Sequence, residues 1–346
     1  MRVKKELLLP TLADHPTVDL GLDVTPIQIL PRLSDALGVS LLVKRDDVSL
    51  LAMGGNKVRQ LEYYLGPARQ MQADTVLITG AVQSNFVRLC AAAAAKMGWH
   101  AVVQLEQRVP KDDAQYNQSG NVLLNHILGA EVRYFPEGEN EAAADASLDI
   151  IADELKRAGR KPYVVHLGIE HAPIGALGYA NCAAECYTQL QNMDTMPDHV
   201  VLPSGSGLTH AGFLAGARTF GWGVPVYGIC VRRDAFEQKV RIARRTDEVA
   251  KLLASALGIV GADILVDDSV LAPGYGQINP AVMSAITQSA RLEALILDPV
   301  YSGRTMAGLK SLIEQGAIKR GDSVLFVHTG GLPSLFAYQT DLMQRL

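Results

Sequence analysis

A lysine opens a helical pattern in the stretch "LAMGGNKVRQLEYYL", residues 51–65. Two glycines and Asn56 precede Lys57, and apolar residues recur after it at helical spacing, which predicts Lys57 in a first helical turn. The partial positive charge of a helix N-terminus disfavours a cation there. The position therefore favours an uncharged, reactive amine. A lysine that extends to solvent is the alternative that this stretch alone leaves open.

A loop of small residues, "SGSGLTHAG" at 204–212, follows an apolar strand pattern and opens a helix. Backbone N–H groups in such a loop converge on a phosphate, the helix dipole adds to the attraction, and Thr209 offers a hydroxyl. The loop lacks Gly-Lys-Ser/Thr and the GxGxxG spacing, so it is neither a P-loop nor a dinucleotide fingerprint. A plain turn is the alternative, but the position after a strand favours a phosphate site.

Two further loops carry uncharged polar groups after predicted strands. In "GAVQSNFVRL", Gln83, Ser84 and Asn85 can bind carboxylate or phenolate oxygens without carrying charge. A helix cap at Ser84 or Asn85 would also explain that stretch. In "FVHTGGLPSLFAY", Thr329 and two glycines follow a buried strand pattern, and a turn alone would account for the glycines.

Alternating strand and helix patterns must position these loops. The predicted strands are "DTVLITGA", "HAVVQLE", "EVRYFP", "PYVVHLG", "DHVVLPSG", "PVYGICV" and "SVLFVHTGG". The predicted helices are "SNFVRLCAAAAAKMG", "NVLLNHILG", "ASLDIIADELKRAG", "GALGYANCAAECYTQL" and "HAGFLAGARTFG". Apolar strands alternating with helices predict parallel sheets covered on both faces. Ligands bind such sheets at the carboxyl ends of strands, where these loops lie.

Composition indicates a small partner. The chain has 346 residues, 48% of them hydrophobic, and a formal net charge of −4, which suffices for a large core and suggests two domains. It has no run of five basic residues, so neither nucleic acid nor a membrane surface is the expected partner. The N-terminus has only a three-leucine apolar run before Pro10, and no later stretch is long enough to span a bilayer, so we expect a cytoplasmic protein.

Other chemistries find little support in the sequence. Its four cysteines lack CxxC spacing and are predicted to be reduced core residues: Cys90, Cys182, Cys186 and Cys230. Its eight histidines lack HExxH spacing, so we expect no metal site. The GxSxG motif of a serine hydrolase is missing.

A phosphate loop, a neutral hydrogen-bonding loop and a lysine at a helix N-terminus match what pyridoxal 5′-phosphate (PLP) requires, namely an anchor, ring contacts and an amine. The sequence also resembles the fold-type II (tryptophan synthase β-like) PLP enzymes, and within them the D-cysteine desulfhydrase and 1-aminocyclopropane-1-carboxylate deaminase group. The resemblance covers nearly the whole chain in order, through "TPIQILPRLSDALGVSLLVKRDD", "GGNKVRQLEY", "GAVQSNFVR", "GALGY", "SGSGLTHAG", "APGYG", "DPVYSGRTMAGL" and "FVHTGGLPSLFAY".

The resemblance implies a role for each matched residue. Lys57 would hold the cofactor covalently and, once displaced by substrate, move the α-proton. Asn85 would bind the cofactor's phenolic oxygen, and Ser84, with Gln83 and Phe86 beside it, would hold the substrate carboxylate. The other matched residues would surround the phosphate (Gly205, Gly207, Leu208 and Thr209), orient or protonate the reacting atoms (Tyr275 and Tyr301) and face the pyridine nitrogen (Thr329 and Ser302).

The implied architecture is an α/β, two-domain PLP fold type II with parallel-rich sheets covered by helices. Residues 50–165 would form a small α/β domain, and residues 1–49 plus 166–346 a large PLP-binding domain. The active site would lie between them, and homodimers are usual in the family.

The chain departs from the family pattern at several positions. Phe86 stands where relatives commonly have His, Leu208 where Gly is usual, and Arg304 where Lys is usual. Glu170 and His171 replace small polar residues. These changes do not alter the expectation that the chain binds PLP, but they leave the identity of its substrate open.

The implied function is β-elimination from a small three-carbon amino acid, with D-cysteine giving pyruvate, sulfide and ammonia. Three alternatives remain open: an L-cysteate sulfo-lyase or another lyase for β-substituted amino acids, a 1-aminocyclopropane-1-carboxylate deaminase, and a catalytically inactive PLP- or amino-acid-binding protein. The ring-opening relatives typically carry Glu and Leu where this chain has Ser302 and Thr329. Two hydroxyls do not keep the pyridine nitrogen protonated as a carboxylate would, so we expect inefficient ring opening.

Overall fold

The computed structural model describes residues 8–256 and 258–346, so the basic N-terminal residues and Leu7 considered above lie outside it. The described chain has ten strands: β1 (Ile27–Ile29), β2 (Ser40–Arg45), β3 (Thr75–Ala81), β4 (His100–Glu106), β5 (Glu131–Phe135), β6 (Pro162–Val165), β7 (His199–Ser204), β8 (Val226–Cys230), β9 (Leu265–Asp267) and β10 (Ser323–His328). It also has thirteen α-helices: α1 (Pro31–Leu37), α2 (Lys57–Gln70), α3 (Asn85–Met97), α4 (Ala114–Gln118), α5 (Gly120–Ile127), α6 (Glu141–Arg157), α7 (Leu177–Asn192), α8 (Leu208–Thr219), α9 (Ala235–Leu252), α10 (Pro280–Glu293), α11 (Ser302–Glu314), α12 (Leu332–Ala337) and α13 (Gln339–Met343).

The strands form two sheets. The larger has the order β1-β2-β10-β7-β8-β9, and the smaller has the order β5-β4-β3-β6. Every strand pair in them is parallel except β1 with β2, which is antiparallel. The parallel-rich α/β class predicted from the sequence is therefore confirmed.

Helices cover both faces of the smaller sheet. Val76 and Ile78 of β3 face one apolar cluster, whereas Leu77 between them packs in a second cluster with Leu148 of α6. This alternation is what the two-residue period of a strand requires. Near-continuous apolar strands are buried here because each face has its own helices.

Most predicted elements are present, and the differences have simple causes. Strand β4 coincides with the predicted "HAVVQLE". Helix α6 begins at Glu141, before the predicted start, because the Asn140 side chain caps it by accepting from the Ala143 N–H. Strands β1 and β9 have three residues each, too few to show a period, and β2 carries the buried Lys44 within its apolar run. All four cysteines are buried and free, as predicted.

A buried ion network anchors α2, the helix that begins at Lys57. The Arg59 guanidinium donates to Asp46 and to Glu185 of α7, each at 2.9 Å, and Lys44 Nζ lies 2.5 Å from Glu185 Oε1. Burial alone would raise the pKa of Asp46, but the Arg59 charge and hydrogen bonds lower it to about 2. The network therefore stays ionised and ties α2 to the larger sheet and to α7.

The described chain contains no helix long and apolar enough to cross a membrane.

Candidate active site

A cleft lies at the carboxyl ends of strands from both sheets, with an empty volume of about 1080 Å³, open solvent at its mouth included. The loops after β3, β4, β7, β8 and β10 contribute to its wall, together with the start of α2. Most predicted site residues line it, namely Lys57, Ser84, Asn85, Phe86, Gly205, Gly207, Thr209, Tyr275, Tyr301 and Thr329. The exceptions are Gln83, Leu208 and Ser302.

The turn before Lys57 needs its glycines. Gly54 and Gly55 have φ values of 65° and 123°, and a Cβ on Gly54 would lie 2.3 Å from the Asp47 carbonyl oxygen. The Asn56 N–H donates to the Thr329 carbonyl oxygen at 3.0 Å, which ties this turn to the loop after β10. Helix α2 then begins at Lys57, so the prediction of a lysine in the first helical turn is confirmed.

The Lys57 amine lies in surroundings that disfavour its charge. Burial lowers its pKa to about 8. Among the described residues no carboxylate pairs with it: Nζ lies 3.5 Å from Gln60 Oε1 and 5.1 Å from the centre of the Phe86 ring. The face of a Phe ring attracts an ammonium group only weakly, so burial decides the direction of the shift. A much larger fraction of this lysine is therefore neutral at physiological pH than of a lysine in water.

Side chains from the segment after β8 bind the carbonyl groups of the loop after β7. Gly205 O accepts from Gln238 Nε2 at 3.1 Å and from Arg233 Nη1 at 3.3 Å, and Ser206 O accepts from Arg241 Nε at 2.9 Å. These bonds occupy the carbonyl groups of the loop, and the first N–H groups of α8 that follow have no partner within the helix, so they can serve a ligand.

Thr209 has a hydroxyl hydrogen available for an anion. Its Oγ1 accepts from Asn56 Nδ2 and from Gln60 Nε2, both at 2.9 Å, which uses both lone pairs and leaves the O–H as donor. Gly207, at φ 95°, caps α8, whose first N–H groups have no partner within the helix. The Leu208 side chain is buried away from the cleft, so only its backbone N–H serves such a site.

In the loop after β3, Ser84 and Asn85 line the cleft, whereas Gln83 bonds to the backbone elsewhere in the fold. Ser84 Oγ caps α3 by accepting from the Val87 N–H at 3.2 Å, and Ser84 also lines the cleft. Asn85 Oδ1 accepts from Asn121 Nδ2 at 2.9 Å, which leaves the Asn85 Nδ2 as the donor on the cleft side. Gln83 points elsewhere: it donates to the Ser119 carbonyl and accepts from the Asn121 N–H. The expectation that Gln83 contacts substrate therefore finds no support in its position.

Two tyrosines meet across the cleft. The hydroxyl oxygens of Tyr275 and Tyr301 lie 2.7 Å apart. Burial raises the pKa of both hydroxyls, that of Tyr301 well above its ordinary value. Both are therefore protonated at neutral pH, and one of the two hydrogens is left for a ligand.

Ser302 is tied to Asp298 and does not face the cleft. Its hydroxyl donates to Asp298 Oδ1 at 2.6 Å, and its N–H donates to the same oxygen at 2.7 Å. Asp298 Oδ2 accepts from the N–H groups of Val300 and Tyr301, both at 2.9 Å. Ser302 and Asp298 thus fix the turn that presents Tyr301, and the expected contact of Ser302 with the pyridine nitrogen stays a prediction.

Two buried arginines, Arg88 and Arg304, bind backbone carbonyls in the loops that carry Lys57 and Tyr275. The sequence alone did not indicate this role for either arginine. The Arg88 guanidinium donates to the carbonyls of Ala52 and Gly54 in the turn before Lys57. The Arg304 guanidinium donates to four carbonyls around Tyr275, those of Val270, Leu271, Gly274 and Gln277. A guanidinium has five donors in a fixed fork, so it can hold several carbonyls of one loop at once.

A cluster of arginines around one glutamate closes part of the cleft mouth. Glu141, the first residue of α6, pairs with Arg232 at 2.6 Å, Arg233 at 2.5 Å and Arg241 at 3.3 Å. Burial opposes its ionisation, but the three guanidinium groups lower the pKa of Glu141 to about 2. Because α6 packs on the smaller sheet and the arginines follow β8 of the larger one, these ion pairs join the two sheets. No motif in the sequence pointed to this cluster.

Asp145, His166 and His171 come together beside the cleft, with their ligand atoms within 4.8 Å of one another. The two imidazole rings stack with centroids 3.9 Å apart and an interplanar angle of 5°. Nitrogen lone pairs lie in the ring plane, so parallel rings do not direct them at one ion about 2.0–2.1 Å away. We assign no metal to this group.

The site residues fit PLP. A lysine with a depressed pKa, a loop that presents N–H groups and the Thr209 hydroxyl, and the free amide of Asn85 correspond to an amine, a phosphate anchor and a ring-oxygen contact. The chain belongs to the family of pyridoxal-phosphate dependent enzymes, whose model matches residues 18–330. PLP is therefore its cofactor, and the family predicted from the sequence is confirmed.

Within this family, the chain is similar to D-cysteine desulfhydrases and to one solved structure of a related protein. The chain is 41% identical to a D-cysteine desulfhydrase of Yersinia enterocolitica over 329 residues, which are 94% of this chain and 97% of that protein. It is 40% identical to a D-cysteine desulfhydrase of Serratia proteamaculans, with the same shares covered. Among solved structures, one described as an ACC deaminase homologue matches with a TM-score of 0.86 and 35% identity, over 98% of this chain and 99% of that one.

Proposed function

We propose that this chain catalyses PLP-dependent β-elimination from a small three-carbon amino acid, with D-cysteine giving pyruvate, sulfide and ammonia. The observation that carries the proposal is the placement of the Lys57 amine and the paired hydroxyls of Tyr275 and Tyr301 in one cleft. The first is a base and the second a proton donor, which are the two groups that an elimination needs. The D-cysteine desulfhydrases at 40–41% identity support the choice of substrate.

The base is Lys57. When bound, PLP withdraws electrons and stabilises negative charge at the substrate α-carbon. A Lys57 amine with a pKa of about 8 is partly neutral at physiological pH, so its Nζ can accept the α-proton. The start of α2 holds this amine, and Arg88 and Arg59 fix that segment from two sides.

The acid is the tyrosine pair. One hydroxyl donates to the other, which leaves one hydrogen. This hydrogen would protonate the sulfur as it leaves the β-carbon. Both hydroxyls stay protonated near neutral pH because burial raises their pKa values. The released 2-aminoacrylate hydrolyses to pyruvate and ammonia without further help from the protein.

Binding roles follow from the free donors. Ser84, next to Phe86 in the cleft wall, would hold the substrate carboxylate. Asn85, whose Nδ2 is free to donate, would bind the cofactor's phenolic oxygen. The N–H groups of the loop at residues 205–209 and the Thr209 hydroxyl hold the phosphate. Thr329, which lines the cleft, faces the pyridine nitrogen.

Elimination is favoured over opening of a cyclopropane ring. The Ser302 hydroxyl is already bonded to Asp298, and Thr329 offers only a neutral hydroxyl. Each Asp298 oxygen accepts two donors from its own turn. Neither the Thr329 hydroxyl nor the Ser302–Asp298 pair keeps the pyridine nitrogen protonated as a carboxylate bound to it would. A cyclopropane carbon is also a poorer leaving group than a thiolate.

We also propose the division into a small domain, residues 50–165, and a large one, residues 1–49 plus 166–346. The smaller sheet lies wholly inside the first range, which supports it. We infer a cytoplasmic homodimer from the family resemblance and from the reduced cysteines. Light scattering on the purified holoenzyme tests the dimer.

Release of ammonia and of a 2-oxo acid from a panel of substrates tests the proposed function. Cysteine gives pyruvate with sulfide, cysteate gives pyruvate with sulfite, and the four-carbon cyclopropane acid gives 2-oxobutanoate. The panel holds D-cysteine, L-cysteine, L-cysteate and 1-aminocyclopropane-1-carboxylate, each with wild type and with Lys57→Ala. The proposal predicts the highest kcat/KM for D-cysteine and none of this activity in Lys57→Ala. If the enzyme prefers the cyclopropane acid or L-cysteate, that compound, and not D-cysteine, is its substrate. If none of the compounds gives product, the result favours the alternative of a catalytically inactive binding protein.

A further inference from the structure

Arg108 lies just beyond β4 and lines the cleft with one edge of its guanidinium uncommitted. Its Nε and Nη2 donate to the two oxygens of Glu106, each at 2.8 Å. Glu106 is fully buried and also accepts from Thr79 Oγ1 at 2.7 Å. The guanidinium is planar, so this side-on pairing fixes its plane and leaves Nη1 on the edge away from Nε.

That second edge has no protein partner. Within residues 8–256 and 258–346, no side chain or carbonyl accepts from Arg108 Nη1, although 17% of the side chain remains exposed. By contrast, both Nη groups of Arg304 donate to backbone carbonyls. A fixed guanidinium edge with free donors in a partly closed cleft binds oxyanions and thiolates well, because its hydrogen bonds to them are charge-assisted.

Arg108 lines the same cleft as the paired hydroxyls of Tyr275 and Tyr301. Its positive charge opposes the rise in pKa that burial causes at both Tyr275 and Tyr301. Arg232, which also lines the cleft, acts on the pKa of Tyr275 in the same direction. The hydroxyl pair that serves the β-substituent thus lies in a field of two guanidinium groups, which favours negative charge at that position.

We propose that the Nη1 edge of Arg108 selects substrates by binding a negatively charged group on the β-carbon, a thiolate or an oxyanion such as a sulfonate. This rests on the proposed function, because the tyrosine pair places the β-substituent beside Arg108. The substrate's α-carboxylate is assigned to Ser84 on the loop after β3. Arg108 thereby holds the charge that the β-substituent carries before it leaves, while the tyrosine hydroxyl supplies the proton that the leaving group takes up.

Binding of aspartate and asparagine to the holoenzyme tests this directly. The two have nearly the same shape, differ by one charge at the β-position, and have no good leaving group, so binding can be followed by the cofactor's absorbance. Both enantiomers are measured. Wild type should bind aspartate at least about tenfold more tightly than asparagine, as expected of one charge-assisted bond. Arg108→Gln should lose this preference and bind asparagine almost as wild type does.

Two controls separate charge recognition from structural damage. Glu106→Gln/Arg108→Gln leaves no unpaired carboxylate in the core and should also lack the aspartate preference. Arg133→Gln removes an arginine with the same carboxylate pairing outside the cleft, where Arg133 Nε lies 2.8 Å from Glu131, and should keep the preference. Equal affinity for aspartate and asparagine in wild type, or an unchanged ratio in Arg108→Gln, would overturn the assignment.

Turnover gives a second readout. In Arg108→Gln, kcat/KM for cysteine and cysteate should fall by at least about tenfold more than kcat/KM for β-chloroalanine, whose substituent is neutral until it leaves. An equal loss for all three would place Arg108 at the α-carboxylate or in the scaffold, against the proposal. If wild type eliminates none of these groups, the proposed function fails, whereas the aspartate and asparagine comparison still decides the role of Arg108.

Discussion

The hydroxyl oxygens of Tyr275 and Tyr301 lie 2.7 Å apart, although the two residues come from separate loops. Asp298 fixes the Tyr301 end by accepting its N–H, and Arg304 fixes the Tyr275 end through the carbonyls of its loop. These two anchors hold the hydroxyls so that one hydrogen joins them and the other is left for a ligand in the cleft. This is the arrangement that a proton donor for a leaving group requires.

Removing either hydroxyl should slow elimination while leaving the cofactor bound. Tyr275→Phe and Tyr301→Phe should each lower kcat with D-cysteine by at least about 100-fold, the usual contribution of a positioned acid or base. Tyr134→Phe, which changes an exposed tyrosine on β5, is the matched control. Steady-state kinetics with the cofactor absorbance as a loading check decides this. Near-normal kcat in both active-site variants would remove the pair from the chemistry.

Thr209 should hold the cofactor through its hydroxyl. Thr209→Val removes one hydrogen bond to a charged group, worth about 1.5–3 kcal/mol, so the Kd for PLP should rise roughly 10- to 100-fold. Thr219→Val, on the same helix, removes a hydroxyl that bonds only its own helix at Ala215 O, and should leave the Kd unchanged. Equilibrium titration of the apoenzyme measures both. An unchanged affinity in Thr209→Val would mean that the loop is a turn without a phosphate role.

Capture of the cofactor should follow the ionisation of Lys57. Burial lowers its pKa from 10.5 to about 8, and only the neutral amine attacks the cofactor's aldehyde. The rate of PLP capture by the apoenzyme should therefore rise with pH and level off above about 8. Stopped-flow absorbance across this range gives the midpoint. A rate that continues to rise toward pH 10.5 would show an ordinary, solvated lysine.

Glu141 should protect the protein against acid. Its pKa is lowered from 4.5 to about 2, so its ion pairs stabilise the native state fully above pH 4.5 and lose that contribution as the pH falls toward 2. The difference in free energy of unfolding between wild type and Glu141→Gln should shrink over this interval. Urea titrations at pH 6 and pH 3.5 test it. Glu170→Gln, at an exposed glutamate that also pairs with an arginine, should show a much smaller difference at pH 6.

The sequence predicted the residues that act through type and spacing, and missed those that act through packing. The glycines before Lys57 and the small-residue loop at 204–212 have local signatures, and the structure places both at the cleft. Arg108 and Glu141 have none, because their partners are brought to them by the fold. The direction in which a side chain points also depends on residues that are distant in the sequence. Gln83 turns into the Ser119 and Asn121 backbone, which a hydrogen-bonding tripeptide alone does not reveal.

Ser302 gives the same lesson. Its place after the "DPVY" tyrosine suggested a ring contact, whereas its bond to Asp298 makes it part of a turn.

The most direct test of the account is the identity of the lysine that binds PLP. Borohydride reduction of the holoenzyme, followed by peptide mapping, fixes the pyridoxyl group to its lysine. We predict the label on Lys57, in the peptide that contains "GGNK", and its loss in Lys57→Ala together with elimination activity. A label on any other lysine, or full activity in Lys57→Ala, would contradict the assignment of this site.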